Sequence, residues 1–177
     1  QDVVTNRWLP AAEYQQNMAK KYGAKATAML AFYPASNDAE AAISQRNLSR
    51  DETFGAGVFY WAKTQLAYGK SPVFVYNFNR QVPGYTDETR FGAFHTGEVP
   101  YAYDNLDKVR RPFESVDFQL AKRVSNYWVN FAKTGNPNAP GLPEWPKFQS
   151  GNEVMQLDVE TKASQVKNPA ALELIAQ

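Results

Sequence analysis

Apolar positions between residues 11 and 32 recur at spacings of three and four. Tyr14, Met18 and Tyr22 form one run, Ala26, Met29 and Leu30 a second, and Gly23 stands between them. That spacing stacks side chains on one helix face and glycine interrupts it, so two short helices are predicted. Tyr33-Pro34 ends the region. Ala35 to Ser49 predicts a third helix, opened by Asn37 or Asp38, whose short polar side chains can accept from the free amides of a first turn. Residues 51–68 predict a fourth. Its core face is expected to be Phe54, Val58, Trp61/Ala62 and Gln65/Leu66, with Gly69 as a left-handed stop.

The pattern then turns extended. Pro72-Val73-Phe74-Val75-Tyr76-Asn77-Phe78 is β-branched and aromatic, with proline where a strand tolerates it, and 72–79 is the strongest strand in the chain. Residues 80–113 carry Pro83-Gly84, Gly92, Gly97, Pro100 and Pro112 and predict a long loop. Its aromatics, Tyr85, Phe91, Phe94, Tyr101 and Tyr103, argue that the loop is ordered and functional. Ser115 is expected to cap a long helix over 115–133. The predicted buried face is Leu120, Ala121, Val124, Tyr127, Trp128 and Phe131, with Asp117 complementing the helix N-terminus and Gly135 ending it. Residues 136–146 are turn chemistry. Val154-Met155-Gln156-Leu157 predicts a weak strand paired with Lys147-Phe148, and Pro169–Ala176 a short terminal helix. A lone strong strand leaves its backbone groups unpaired, so its sheet partners are expected outside this chain.

Composition narrows the function classes. With 44% hydrophobic and 21% charged residues the 177-residue chain reads as globular, and 14% aromatics supply large buried areas. Nineteen basic and 18 acidic side chains give a net charge of +1, which offers no electrostatic basis for binding nucleic acid or an anionic membrane. There is no cysteine, so disulfide frameworks and thiolate metal sites are excluded, while the compartment stays open. No apolar run approaches the roughly 20 residues of a membrane span. No glycine-rich phosphate loop and no calcium-loop pattern occurs, and neither metal nor cofactor is expected. The chain opens Gln1-Asp2-Val3-Val4 without an initiator methionine, which suits a processed chain or a fragment.

His95 is the only histidine. A single histidine is more often structural than chemical, yet imidazole is the group best suited to moving a proton near neutral pH. His95 lies after the predicted strand, among glycines and aromatics, where a rigid scaffold commonly presents acid–base groups. It would still need a nucleophile and an orienting acid. The nearest approach to a G-x-S-x-G elbow is Gly69-Lys70-Ser71-Pro72-Val73. It lacks the second glycine and runs from helix into strand, the reverse of the required order.

The stretch Phe91-Gly92-Ala93-Phe94-His95-Thr96-Gly97-Glu98-Val99-Pro100-Tyr101-Ala102-Tyr103 resembles the catalytic-histidine loop of type-B carboxylesterases, the cholinesterase-like branch of the α/β-hydrolases. The strand Val73–Phe78, the segment Tyr127-Trp128-Val129-Asn130-Phe131-Ala132-Lys133-Thr134-Gly135-Asn136-Pro137-Asn138 and Leu142-Pro143-Glu144-Trp145-Pro146 are also similar to family sequence, in the same order. The resemblance covers roughly residues 50–160. It implies an α/β fold class: a helix-rich C-terminal segment of an α/β-hydrolase fold, with one strong strand, a long helix and a weak C-terminal strand or hairpin. All of residues 1–177 would then be one portion of a single carboxylesterase domain. It would comprise a helical region (1–50), a helix-strand-loop-helix region (51–135) and a turn-rich tail (136–177).

The resemblance also implies roles. His95 would be the catalytic histidine, with Gly92 and Glu98 supporting its loop and Phe94, Tyr101 and Tyr103 as candidate walls of a substrate pocket. Thr96 departs from the pattern, since many members carry glycine directly after the histidine. The serine, the triad acid and the oxyanion hole would lie in a preceding N-terminal part. That part and a carboxylic ester are the expected partners, together with self-association through exposed apolar surface. The chain alone is expected to be inactive. A non-catalytic scaffold of the same fold, or an independent helical binding domain, are the alternatives.

Overall fold

The computed structural model describes residues 8–86 and 92–177. The chain forms two compact units. One takes in the chain up to Thr64 together with Lys167–Gln177, and the other is Gln65–Val166.

The first unit is helical. Helices α1 (Ala11–Tyr22) and α2 (Ala26–Phe32) flank a 3-10 turn at Gly23–Lys25, where Gly23 has φ +53. The predicted break at Gly23 is therefore the left-handed position that glycine alone takes without a Cβ penalty. Helix α3 (Asp38–Arg50) is capped by the Asn37 side chain, which accepts from the Glu40 amide at 3.0 Å. Tyr14, Met18, Met29, Tyr33, Ala41 and Leu48 share a core with Ala171 of α7 (Pro169–Ala176), so the predicted terminal helix packs into this unit.

The predicted helix 51–68 differs in two respects. Asp51–Gly55 is a π-helical turn, and the α-helix α4 is Ala56–Tyr68. In α4 the buried residues are Ala56, Phe59 and Ala62. Phe54, Val58 and Trp61, expected in the core, are exposed; Trp61 is 66% exposed. Asp51, near the start of the turn, is buried, accepts from Tyr33 Oη at 2.9 Å and pairs with Arg50 at 2.7 Å. Hydrogen-bonding this carboxylate inside the helix path gives the π turn a local cause, because a buried charge needs partners. Gly69 is not left-handed. Its amide closes the helix on Gln65 O at 2.7 Å, and a Cβ there would lie 2.4 Å from that oxygen, so the glycine serves a close approach.

In the second unit, β1 (Tyr76–Phe78) is shorter than the predicted 72–79, although Val73 O and Val75 O flank it as acceptors for Phe148 N and Met155 N. Among the described residues, a sheet of order β1-β2-β3 forms with β2 (Glu153–Leu157) and β3 (Lys162–Gln165). The expectation that β1 has no partner within the chain is thus corrected. It pairs in parallel with β2 in the register Tyr76↔Met155, Asn77↔Gln156 and Phe78↔Leu157. The expected pairing of 154–157 with Lys147-Phe148 is also replaced, since β2 pairs antiparallel with β3 on its other side. Sequence reasoning missed β3 because Lys162-Ala163-Ser164-Gln165 has no apolar alternation.

Parallel strands need a long crossover. Here it contains helix α6 (Ser115–Thr134), whose Leu120, Ala121, Val124 and Tyr127 enter a core with Val82, Tyr101, Leu106, Trp145, Met155 and Leu157. Trp128 is only partly buried, and Phe131, expected inside, is 48% exposed. The cap is Glu114, not Ser115. The Asp117 amide donates to Glu114 O at 2.9 Å while the Asp117 carboxylate accepts from the Glu114 amide at 2.9 Å, the return bond of a capping box. Gly135 ends the helix at φ +74 as predicted.

Candidate active site

The segment after β1 runs through Arg80 to Val82, which is buried and donates its amide to Gly92 O at 3.3 Å. Gly92 holds φ +60, so a glycine there spares the cost of a left-handed side-chain-bearing residue. Phe91 of the motif lies outside the described residues.

From Phe94 onward the backbone folds into consecutive turns. Gly97 N donates to Phe94 O at 2.9 Å, closing a turn around His95 and Thr96. Val99 N then donates to Thr96 O at 3.1 Å, and α5 (Val99–Ala102) continues with Ala102 N on Glu98 O at 2.9 Å. Both sides of His95 are anchored. The Phe94 ring packs against the core under Arg111, whose guanidinium lies 5.1 Å from the ring centroid and donates to Pro83 O at 2.8 Å. On the other side, a Cβ on Gly97 would meet Phe94 O at 2.9 Å and Val82 Cγ2 at 3.1 Å, so the turn closes only around a glycine. His95 itself is exposed.

Thr96 occupies the third position of that turn at φ +69. Type II turns need a left-handed residue there, normally glycine or asparagine. The departure noted in the sequence therefore falls on a residue whose backbone favours glycine. A β-branched side chain in this region costs about 1–2 kcal/mol.

The other sequence-identified residues separate. Glu98 is half-buried. The Tyr76 phenol of β1 is pushed up, by burial first and by the Glu98 charge second. Tyr103 is 75% exposed. Tyr101 lies in the core of the second unit. It is fully buried among Phe78, Phe113 and the α6 face, and its hydroxyl donates to Asp117 Oδ1 at 2.8 Å. Phe94 is half-buried against the same core. Ser71 lines a groove of about 310 Å³ with Lys70, Pro72 and Phe148, and no histidine belongs to that lining.

Sequence reasoning missed the group beneath the loop. Asp117 is 0% exposed and is met by four donors. Arg80 reaches it at two points (Nε to Oδ1 2.7 Å, Nη2 to Oδ2 3.1 Å), Tyr101 Oη at 2.8 Å and the Glu114 amide at 2.9 Å. Burial pushes the Asp117 carboxyl up. The hydrogen bond from Arg80 first, then those from Glu114 N and Tyr101, outweigh it and hold the group below the usual aspartate range. The Tyr101 phenol is pushed up, by burial first and by its bond to Asp117 second. The only local signal was an aspartate three positions into a helix, which sequence reasoning read as a response to the helix dipole.

Comparisons with known proteins cover most of this chain. A family profile described as "Carboxylesterase family" covers residues 2–174. The chain belongs to the carboxylesterase family. Rat "Acylcarnitine hydrolase" is 32% identical over 116 residues, 62% of this chain and 20% of that protein. Human "Cocaine esterase" is 32% identical over 118 residues, 62% of this chain and 21% of that one. "Fumonisin B1 esterase" of Sphingopyxis macrogoltabida is 28% identical over 151 residues, 81% of this chain and 27% of that protein. The chain thus spans about a fifth of the length of the first curated relatives it matches. The solved structure of a "PNB esterase" superposes with a TM-score of 0.67 at 24% identity, over 96% of this chain and 34% of that one, and shows the fold. The resemblance to type-B carboxylesterases and the α/β assignment are both borne out. Among the described residues no helix is long and apolar enough to cross a membrane.

Proposed function

We propose that this carboxylesterase-family chain is the C-terminal portion of a single serine esterase domain and contributes its catalytic histidine, His95. The observation that carries the reading is the His95 turn. An exposed imidazole sits between two anchored neighbours, Phe94 and Gly97, in a chain matched by the family over residues 2–174. The small share of each relative that the chain covers supports a larger whole.

In that whole, a serine hydroxyl from the complementary part attacks the ester carbonyl while His95 takes its proton. The resulting imidazolium gives that proton to the departing alcohol as the acyl-enzyme forms. Water then attacks the acyl group, again losing a proton to His95, which returns it to the serine oxygen. A carboxylate from the complementary part, a glutamate by resemblance, orients the imidazole. Gly92 permits the backbone path into the loop, and Glu98 supports it. Phe94 and Tyr103 are left as the loop's aromatic groups nearest a substrate.

The test is hydrolysis of p-nitrophenyl acetate by the chain alone, by the chain mixed with the complementary part, and by that mixture carrying His95→Gln. The expected result is activity only in the unsubstituted mixture, with loss of at least about 10³-fold on substitution. Equal turnover by the chain alone, or by the His95→Gln mixture, would sink the reading.

A further inference from the structure

We propose that Tyr101, Asp117 and Arg80 form a positioning device for the His95 turn. The inference rests on the reading of His95 as the catalytic histidine. Three elements meet at the Asp117 carboxylate. Arg80 comes from the exit of β1, Tyr101 from α5 immediately after the turn, and Asp117 from the first turn of α6. Asp117 is 0% exposed and the Arg80 side chain 18%. Buried groups of this kind hold fixed geometry because every alternative leaves a charge unpaired.

The connection to His95 is short and made of backbone. Tyr101 lies two residues after Val99, whose amide bonds Thr96 O. Ala102 N on Glu98 O and Gly97 N on Phe94 O complete the path, so the position of the Tyr101 ring sets where the turn can close. That closure is also strained, with Thr96 at φ +69. A strained turn persists only when its surroundings over-determine it. The Tyr101 hydroxyl is the link between the turn and the Arg80–Asp117 pair, and it is the one contact that can be removed without breaking the pair or the capping box. Arg80 Nε still occupies Asp117 Oδ1 when that hydroxyl is gone.

The experiment uses the 177-residue chain with ¹³C,¹⁵N-labelled histidine. His95 is the only histidine, so its imidazole and amide signals report the turn directly. Backbone labelling adds the amides of Gly97 and Val99. Tyr101→Phe is compared with wild type, with Asp117→Asn as the second variant and near-ultraviolet circular dichroism as the check on folding. In a folded Tyr101→Phe chain, the His95 signals are expected to move toward those of a free histidine. Hydrogen exchange of the Gly97 and Val99 amides should rise about tenfold, while amides in β2 stay protected.

Unchanged His95 signals and unchanged Gly97 and Val99 exchange in folded Tyr101→Phe overturn the proposal. Collapse of both variants overturns it too, because the network would then serve the unit as a whole. Ester turnover plays no part in these readouts. Full turnover by the His95→Gln mixture in the activity assay would remove the catalytic reading and leave the positioning result standing by itself.

Discussion

Arg80 and Asp117 lie 37 positions apart in sequence and meet in a two-point ion pair, Nε to Oδ1 at 2.7 Å and Nη2 to Oδ2 at 3.1 Å. The pair ties the end of the only strong predicted strand to the start of the long helix, beneath the loop that carries His95.

Removing one partner of a buried pair leaves the other charge without compensation. Asp117→Ala is therefore expected to destabilise the chain by about 3–5 kcal/mol, read as a shift of the urea midpoint. A loss below about 1 kcal/mol would mean the pair is solvated in solution.

The same carboxylate sets a direction with pH. Its pKa in the folded chain lies below the ordinary aspartate value of 3.8, so the folded state favours the ionised form. The stabilisation is fully present above that ordinary value and fades as pH falls through the lower, folded one. The stability gap between wild type and Asp117→Asn should accordingly be constant from pH 7 to 5 and close below about pH 4. A gap that widened on acidification would contradict the sign.

Glu153, at the start of β2, is held down to about 2. The Ser150 hydroxyl is the largest cause, aided by backbone amides that include those of Ser150 and Gln149. Ser150→Ala should raise the Glu153 midpoint toward 4.5, followed by carboxyl ¹³C shifts. An unmoved midpoint would show that the amides alone suffice.

Thr96 and Gly97 should respond in opposite senses. Thr96→Gly relieves a left-handed β-branched residue, offset by glycine's greater chain entropy, for a net gain of up to about 1 kcal/mol. Gly97→Ala forces a Cβ to 2.9 Å from Phe94 O and should lose at least about 1–3 kcal/mol. Thermal melts of the two variants decide it, and a destabilised Thr96→Gly would argue that the threonine side chain contributes bonds of its own.

Helix α4 offers a direct check on which face is buried. Phe59→Ala should cost about 3–5 kcal/mol, as a buried phenylalanine does. Trp61→Lys should change stability by no more than about 0.5 kcal/mol. The reverse order, by urea unfolding, would restore the face read from periodicity.

Local chemistry made much of this protein legible. The break at Gly23, the Asn37 cap, the Gly135 stop and the terminal helix all depend on residues within a few positions of one another, and sequence shows such residues together. The His95 loop was legible through its resemblance to a family, because a catalytic loop is a contiguous string. Three features were decided only by the tertiary structure. The face that α4 buries is Phe59's and not that of Val58 and Trp61, since apolar residues lie on every side of this helix and spacing alone does not choose the one that packs. The partner of β1 proved to be β2, paired 79 positions on, because parallel pairing is set by a crossover and leaves no local trace. Asp117 reads in the sequence as a complement to the helix dipole, but folding takes it out of water and brings Arg80 and Tyr101 to it, and burial with partners is a property only the packed chain can confer.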